Sequence, residues 1–212
     1  MTDARDEVLR RLRAALTDRP EPARVSRDYD HARDLGDVLT LFEQRVADYR
    51  AVVRRVPEPA LRSAIEESLA ARGVRVMVAP DLPLSWRVGS VKWSVDTPMS
   101  PLSNAALDRA DGVLTGCAVA IAQTGTIVLD GGAAQGRRVL TLLPDYHVCV
   151  VRADQVVATV PEALARLEPT RPLTFISGPS ATSDIELDRV EGVHGPRNLE
   201  VLIVDAVKVP TR

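Results

Sequence analysis

The chain has 212 residues, enough for one well-buried α/β domain, and its length alone does not demand a second core. Its 27 basic and 29 acidic residues give a formal net charge of −2, which excludes the strongly basic surface typical of proteins that bind nucleic acid or anionic membranes. An aromatic content of 3% leaves few rings on which bases could stack. Nucleic acid is therefore not expected as a partner.

The N-terminal segment is charged and lacks the apolar region of a secretory signal. No stretch approaches the roughly 18 apolar residues that a membrane span requires. We therefore expect a cytoplasmic protein with no membrane span.

The chain has few side chains that bind soft metals. Cys117 and Cys149 lack a C-x-x-C partner, which favours small buried side chains, and two cysteines cannot supply the four ligands of an iron–sulfur cluster. The histidines do not have zinc spacing. We expect no cofactor and no metal in this chain. A hard divalent cation has possible ligands without regular spacing, namely Asp145, His147, Asp184, Glu186 and Glu191.

The N-terminal 49 residues are predicted to be mainly helical. Apolar residues at helical spacing predict an amphipathic helix over residues 3–16 and a second over 37–49, separated by a linker rich in proline and charge over 18–33. The sheet core is expected over residues 50–212, and both parts are assigned to a single α/β domain.

The next segment has the order strand, helix, strand. A β-branched run at 51–53, a helix over 57–72 closed by Gly73, and a strand at 74–78 favour parallel strands joined by a crossover. Residues 81–101 contain several prolines and both tryptophans, and we predict irregular structure there with at most one short strand. A short helix is expected at 104–110.

The most apolar segment, residues 113–130, predicts two strands that meet at a tight turn around Gly125. Residues 130–138 (DGGAAQGRR) are expected to form a mobile loop. Its two arginines, Arg137 and Arg138, either clamp an anion or remain solvated. Strands are predicted at 139–143 and 148–151.

The C-terminal part begins with a capping box from Thr159 to Glu162, which predicts a helix to 167 with Leu164 and Leu167 facing inward. A strand at 173–176 leads into a turn rich in hydroxyl groups, where Ser183 and Glu186 fit a second capping box. An ordinary strand-to-helix turn is the alternative to a ligand-holding corner there. The apolar run 199–204 predicts a final buried strand.

Three polar segments are predicted to converge on a small anionic ligand at the carboxyl edge of the sheet, where open α/β sheets bind ligands. These segments are residues 123–126, 178–184 and 194–197. Backbone N–H groups of residues 178–183 and the hydroxyls of Ser180 and Thr182 are expected to hold the anion, with Arg197 as its countercharge. The predicted ligand-binding residues are Gln123, Thr124, Gly125, Thr126, Gly178, Pro179, Ser180, Thr182, Asp184, His194, Gly195 and Arg197.

Catalytic residues are not identified by these patterns. His194 either transfers protons or only caps a turn. Ser180, Asp184 and His194 have the residue types of a hydrolase triad, but the surrounding sequence is not the G-x-S-x-G elbow. No nucleotide-binding glycine motif is present.

The chain resembles the lactate-utilisation protein C family, which is built on the LUD domain. The resemblance lies in residues 112–132, 136–151 and 175–197 and in the closing strand, with G-P-S-x-T-x-D-I-E and V-H-G-P as its specific motifs. It implies a fold similar to the sugar-phosphate isomerase and CoA-transferase group, with a mostly parallel sheet flanked by helices.

The same resemblance implies a role in oxidising L-lactate to pyruvate, as one subunit beside two partner proteins that carry iron–sulfur clusters. Gln123 departs from the family pattern, which has glutamate before Thr-Gly-Thr, and this puts in doubt any acid–base role at that position. The alternative is a stand-alone enzyme of this fold group acting on a small anionic metabolite such as a sugar phosphate, folate or acyl-CoA.

Overall fold

A computed structural model describes residues 3–18, 24–183, 189–191 and 195–205. The chain divides into two compact units, Met1–Asp30 and His31–Arg212, and each is described by itself. The first unit contains helix α1 (Asp3–Ala15), as the apolar spacing predicts. Glu7 accepts hydrogen bonds from Arg10 and Arg11 along one side of α1. In the ranges given above, no helix combines the length and apolar character needed to cross a membrane.

The second unit is built on a six-stranded sheet in which every pair of neighbours is parallel. The mostly parallel α/β fold predicted from the sequence is therefore confirmed. In spatial order the strands are β1 (Val52–Pro57), β12 (Asn198–Asp205), β7 (Tyr146–Arg152), β4 (Gly112–Thr115), β2 (Val76–Ala79) and β3 (Lys92–Val95).

The described part of this unit contains four further helices, three packed on this sheet and the last on the four-stranded sheet described next. Side chains cap the starts of all but the second of them. Asp37 accepts from the N–H groups of Leu39 and Thr40, and Thr159 pairs with Glu162 in the predicted capping box. The helices are α2 (Val38–Asp48), α3 (Leu61–Ala71), α4 (Asn104–Asp108) and α5 (Val160–Arg166).

A second sheet of four strands contains the predicted hairpin. Gly125 lies in its turn with φ of +61°, a conformation that glycine adopts without strain. A separate two-stranded hairpin follows this sheet in the chain. The second sheet has the order β8 (Val156–Val157), β5 (Val119–Ile121), β6 (Thr126–Leu129) and β9 (Thr174–Ile176), and the hairpin comprises β10 (Ala181–Ser183) and β11 (Arg189–Glu191).

Alternate residues of the long central strands enter two different apolar clusters, as expected for a sheet covered on both faces. One cluster joins Val148, Val150 and Leu202 to Ile65 and Leu69 of α3. The other joins the sheet to α2 and the second sheet, through Cys149, Val151, Val201, Ile203, Phe42, Val46, Ala120 and Ile127. The His147 side of β7 therefore faces the second sheet.

Two local predictions are wrong. Residues 138–141 form a 3-10 turn instead of a strand, which lets Leu140 pack against Val78 and Val113. Leu164 is half exposed, and Ala163 occupies the inward position of α5. The backbone of Ser183 pairs with that of Arg189 between β10 and β11, and its predicted capping partner, Glu186, lies outside the described residues.

Candidate functional site

Two neighbouring cavities share Arg138 and Thr141 in their walls. The small cavity has a volume of about 220 Å³ and is bordered by His147 and by residues 175–180. The large cavity has a volume of about 600 Å³ and is bordered by residues 131–138 and 172–174. Because both cavities meet at the 3-10 turn, this turn is where a ligand could contact both.

The two cavities lie at different ends of the main sheet. His147 and Leu199 border the small cavity and are paired second residues of β7 and β12, so this cavity is at the amino ends of those strands. Asp81 and Asp96 border the large cavity just after the ends of β2 and β3. Residues 195–197 precede β12 and therefore lie at the amino edge of the sheet. The prediction that they meet the other polar segments at the carboxyl edge is wrong.

Arg138 is the cation that borders both cavities. Its Nη1 donates to the carbonyl oxygen of Thr141 at 3.1 Å and to Oγ1 of Thr141 at 2.9 Å, which holds the side chain along the 3-10 turn. No carboxylate of the residues that the structure describes lies within ion-pair distance of it. Partial burial lowers the pKa of Arg138, but an arginine stays protonated in proteins. Its charge is thus available to an anionic ligand.

Arg137 has a different role from its neighbour. It donates through Nε to Asp96 at 3.0 Å, and its Nη2 donates to the same carboxylate and to the carbonyl of Leu102. Burial would raise the pKa of Asp96, but Arg137 and the N–H of Leu102 outweigh it and leave that pKa below its usual value. Arg137 therefore fixes the loop of the large cavity to the end of β3.

His147 is a buried polar residue in the wall of the small cavity. Its Nε2 lies 2.7 Å from Oγ1 of Thr115 on the neighbouring strand β4, and this hydrogen bond fixes the ring orientation. Cys149 follows on the same side of β7, and its sulfur donates to the carbonyl of Gly116 at 3.7 Å. The imidazole is thus held by the main sheet instead of by a loop.

The two cysteines are buried behind this wall and border neither cavity. Donation from Cys117 lowers the pKa of the Cys149 thiol, with smaller contributions from His147 and Thr115, while burial opposes this effect. The same contact, together with burial, raises the pKa of Cys117. Within the described ranges, no three His, Cys, Asp or Glu side chains gather as metal ligands.

The predicted segment from Gln123 to Thr126 does not border either cavity. Gln123 is exposed, and Thr124 Oγ1 lies 2.7 Å from Thr126 Oγ1. Thr126 Oγ1 in turn lies 2.8 Å from Ser177 Oγ, which does border the small cavity. A Cβ atom on Gly125 would lie 2.7 Å from the backbone of Arg45, so this glycine lets the turn pack against α2.

Some of the ligand-binding residues predicted after β9 lie together around the small cavity. Gly178, Pro179, Ser180 and Gly195 all border the small cavity, and the N–H of Ser180 donates to the carbonyl of Pro196 at 2.8 Å. The backbone of Thr182 lies in β10. Asp184 and His194 lie outside the described residues.

Arg197, the predicted countercharge, pairs with a protein carboxylate. Its Nε donates to Oδ1 of Asp145 at 2.6 Å, and Asn198 donates to Oδ2 of Asp145 at 3.3 Å. These contacts join the start of β12 to the residue before β7. Among the described residues, Arg138 is the arginine that borders the small cavity.

The sequence analysis considered Arg138 only together with Arg137, as a possible anion clamp. It did not assign Thr141 or His147 to the anion site. His147 had a detectable signal, because it is a polar residue within the apolar run of β7, YHVCVV. Thr141 had none, since its position depends on the 3-10 turn that replaces the predicted strand.

Comparisons with known proteins agree on one family. The model of the LUD domain matches residues 100–204. The chain is 50% identical over 194 residues to the Lactate utilization protein C of Deinococcus radiodurans, covering 90% of this chain and 86% of that protein. It is 26% identical over 198 residues to the protein of the same name from Shouchella clausii, covering 86% of each.

A solved structure gives the same result for the fold. The crystal structure of a DUF162 family protein from Deinococcus radiodurans superimposes with a TM-score of 0.66 at 44% sequence identity. The match covers 79% of this chain and 96% of that chain.

Proposed function

The chain belongs to the lactate utilization protein C family, and we propose that it is a subunit of an L-lactate-oxidising system that holds a small anion beside Arg138. The observation that carries the proposal is the 50% identity to the Deinococcus radiodurans relative over 90% of this chain. That relative's name supports a role in lactate utilisation.

Two partner proteins are proposed to carry the iron–sulfur clusters of this system. The family resemblance implies these partners. The cysteine content agrees with it, since the chain has two cysteines and a cluster held by cysteines alone takes four. Both cysteines are buried away from the cavities, where the Cys117 thiol donates to Gln155 and the Cys149 thiol donates to the carbonyl of Gly116. This subunit then contributes substrate binding or assembly, while electron transfer takes place in its partners.

The small cavity supports the anion-binding part of the proposal. Water occupies about 30 Å³ per molecule in the liquid, so an anion with the six heavy atoms of lactate needs on the order of 100 Å³. A cavity of about 220 Å³ accommodates it. Arg138 supplies the charge, Thr141 and Ser180 border the same space with hydroxyl groups, and hydrogen bonds to a charged partner contribute about 1.5–3 kcal/mol each.

Purification of the tagged chain from its own host, grown on L-lactate, tests the subunit role. The expected eluate contains two further proteins and iron, and it reduces a dye when L-lactate is added. The same chain expressed alone in a different host is the control, and it is expected to lack both the iron and the activity. A clean, iron-free and lactate-inert protein from the native host would contradict a stable complex and favour a stand-alone enzyme.

A further inference from the structure

The large cavity has more space than a three-carbon anion uses. Its volume of about 600 Å³ lies within the range of about 300–1,000 Å³ that is typical of small-molecule sites. Lactate fits in the small cavity alone. The large cavity could therefore bind a second ligand, or the remaining part of a ligand whose anionic group lies in the small cavity.

The walls of the large cavity are mainly apolar. Many lining residues lack polar side-chain atoms, namely Pro80, Pro98, Leu129, Ala133, Ala134, Pro172 and Leu173. Such a surface favours a hydrocarbon chain over a sugar or a phosphate-rich ligand, because those ligands need many polar partners.

Several polar side chains of these walls are already bonded to protein groups. Asp96 is bonded to Arg137, and Gln135 accepts from the N–H of Asp130 at 2.6 Å. Asp81 is different, because it lies 3.9 Å from Arg87, beyond hydrogen-bond distance, and its side chain is 97% exposed to solvent. Arg138 differs because none of the described carboxylates pairs with it, and it stands where the two cavities meet. The site thus combines one cation at its junction with an apolar compartment.

We propose that the large cavity binds the hydrocarbon chain of a medium-chain monocarboxylate whose carboxylate is held by Arg138. This inference rests on the anion site proposed above and extends its ligand class beyond lactate. Octanoate is the matching probe, since it joins one carboxylate to an unbranched chain. Each buried methylene is expected to increase affinity, by at most about fourfold.

The test measures dissociation constants for acetate, butyrate, hexanoate, octanoate and L-lactate by titration calorimetry on the full chain. Affinity is expected to increase along the carboxylate series. Arg138→Gln should weaken octanoate roughly 10- to 100-fold, because it removes a charged hydrogen bond. Arg109→Gln is the matched control, since Arg109 is an exposed arginine that borders neither cavity.

Two variants fill the large cavity. Ala133→Phe and Thr174→Phe each place a ring in its wall, and both should weaken octanoate by roughly tenfold or more while changing lactate by less than about twofold. Ala105→Phe, on the exposed side of α4, is the matched control. Thermal unfolding of each variant shows whether it is folded, and having two filling positions keeps the test valid if one fails to fold.

The outcomes separate this inference from the proposed function. A chain-length series with no trend, or octanoate binding unchanged in both folded filling variants, would overturn the inference and leave lactate binding intact. Octanoate binding without any lactate binding would instead contradict the anion part of the proposed function. Octanoate binding that is unchanged in Arg138→Gln would overturn both assignments of that arginine.

Discussion

The hydroxyl of Tyr146 donates a 2.6 Å hydrogen bond to Oε2 of Glu200, a buried carboxylate on the neighbouring strand β12. Ser68 of α3 donates to Oε1 of the same carboxylate, also at 2.6 Å. Burial, together with Glu200, raises the pKa of Tyr146, so the phenol remains a donor well into the alkaline range. This network joins α3 to the face of the sheet opposite the His147 cavity.

Tyr146→Phe is expected to destabilise the protein by about 1.5–3 kcal/mol, because Glu200 would lose a charged hydrogen bond in a buried place. The free energy of unfolding from urea titrations measures this loss. Tyr49→Phe is the matched control and should change it by less than about 0.5 kcal/mol. Equal effects of the two variants would show that the Glu200 contact contributes little.

The ion pair between Asp96 and Arg137 predicts that the free energy of unfolding depends on pH. The pKa of Asp96 is lowered in the folded state, so its stabilisation is complete above the unfolded carboxyl pKa of about 4 and is lost as the pH falls through the folded value. Asp96→Asn should therefore cost about 1–3 kcal/mol at pH 7, and this cost should shrink below about pH 4.

Urea titrations of the wild type and Asp96→Asn between pH 7 and pH 3 measure that difference. Taking the difference between the two proteins cancels the titration of the other carboxylates. A cost that stays constant over the whole range would contradict the assignment of a lowered pKa to Asp96.

Gly178 predicts an ordered series of glycine variants. It has φ of +82°, and a Cβ atom there would collide with Tyr49. Gly73 has φ of +62° with open space around it, and Gly89 has neither constraint. The loss of stability should increase from Gly89→Ala through Gly73→Ala to Gly178→Ala, with the last costing more than about 1 kcal/mol. Thermal unfolding tests this order, and a Gly178→Ala protein as stable as Gly89→Ala would contradict the packing against Tyr49.

The buried cysteines predict chemical inertness. Cys149 has no exposed surface and Cys117 is 4% exposed, so a thiol reagent such as dithionitrobenzoate should find no rapidly reacting group in the native protein. Both thiols should react after denaturation in urea. Rapid reaction of either cysteine in the native state would show that the wall behind His147 opens.

The sequence predicted the sheet well because its strands are continuous apolar runs. The central strand β12 and the hairpin around Gly125 were both found this way. Edge strand β3 was harder to predict, since its residues KWSV are only partly buried and follow a proline-rich segment.

The candidate site was less predictable, because the roles of charged residues depend on tertiary neighbours. Nothing in the sequence distinguishes Arg137, which is bonded to Asp96, from Arg138, which faces the cavities. The pairing of Arg197 with Asp145 joins residues that are 52 positions apart. Composition and spacing do not predict such a pairing.

The measurement that most directly tests the proposed function uses the complex purified from the native host. Rates of dye reduction are followed against L-lactate concentration for complexes containing the wild-type chain, Arg138→Gln or the control Arg109→Gln. The proposed function predicts that Arg138→Gln raises KM roughly 10- to 100-fold and that the control leaves it unchanged. An unchanged KM in an intact Arg138→Gln complex would show that lactate is not held at this site.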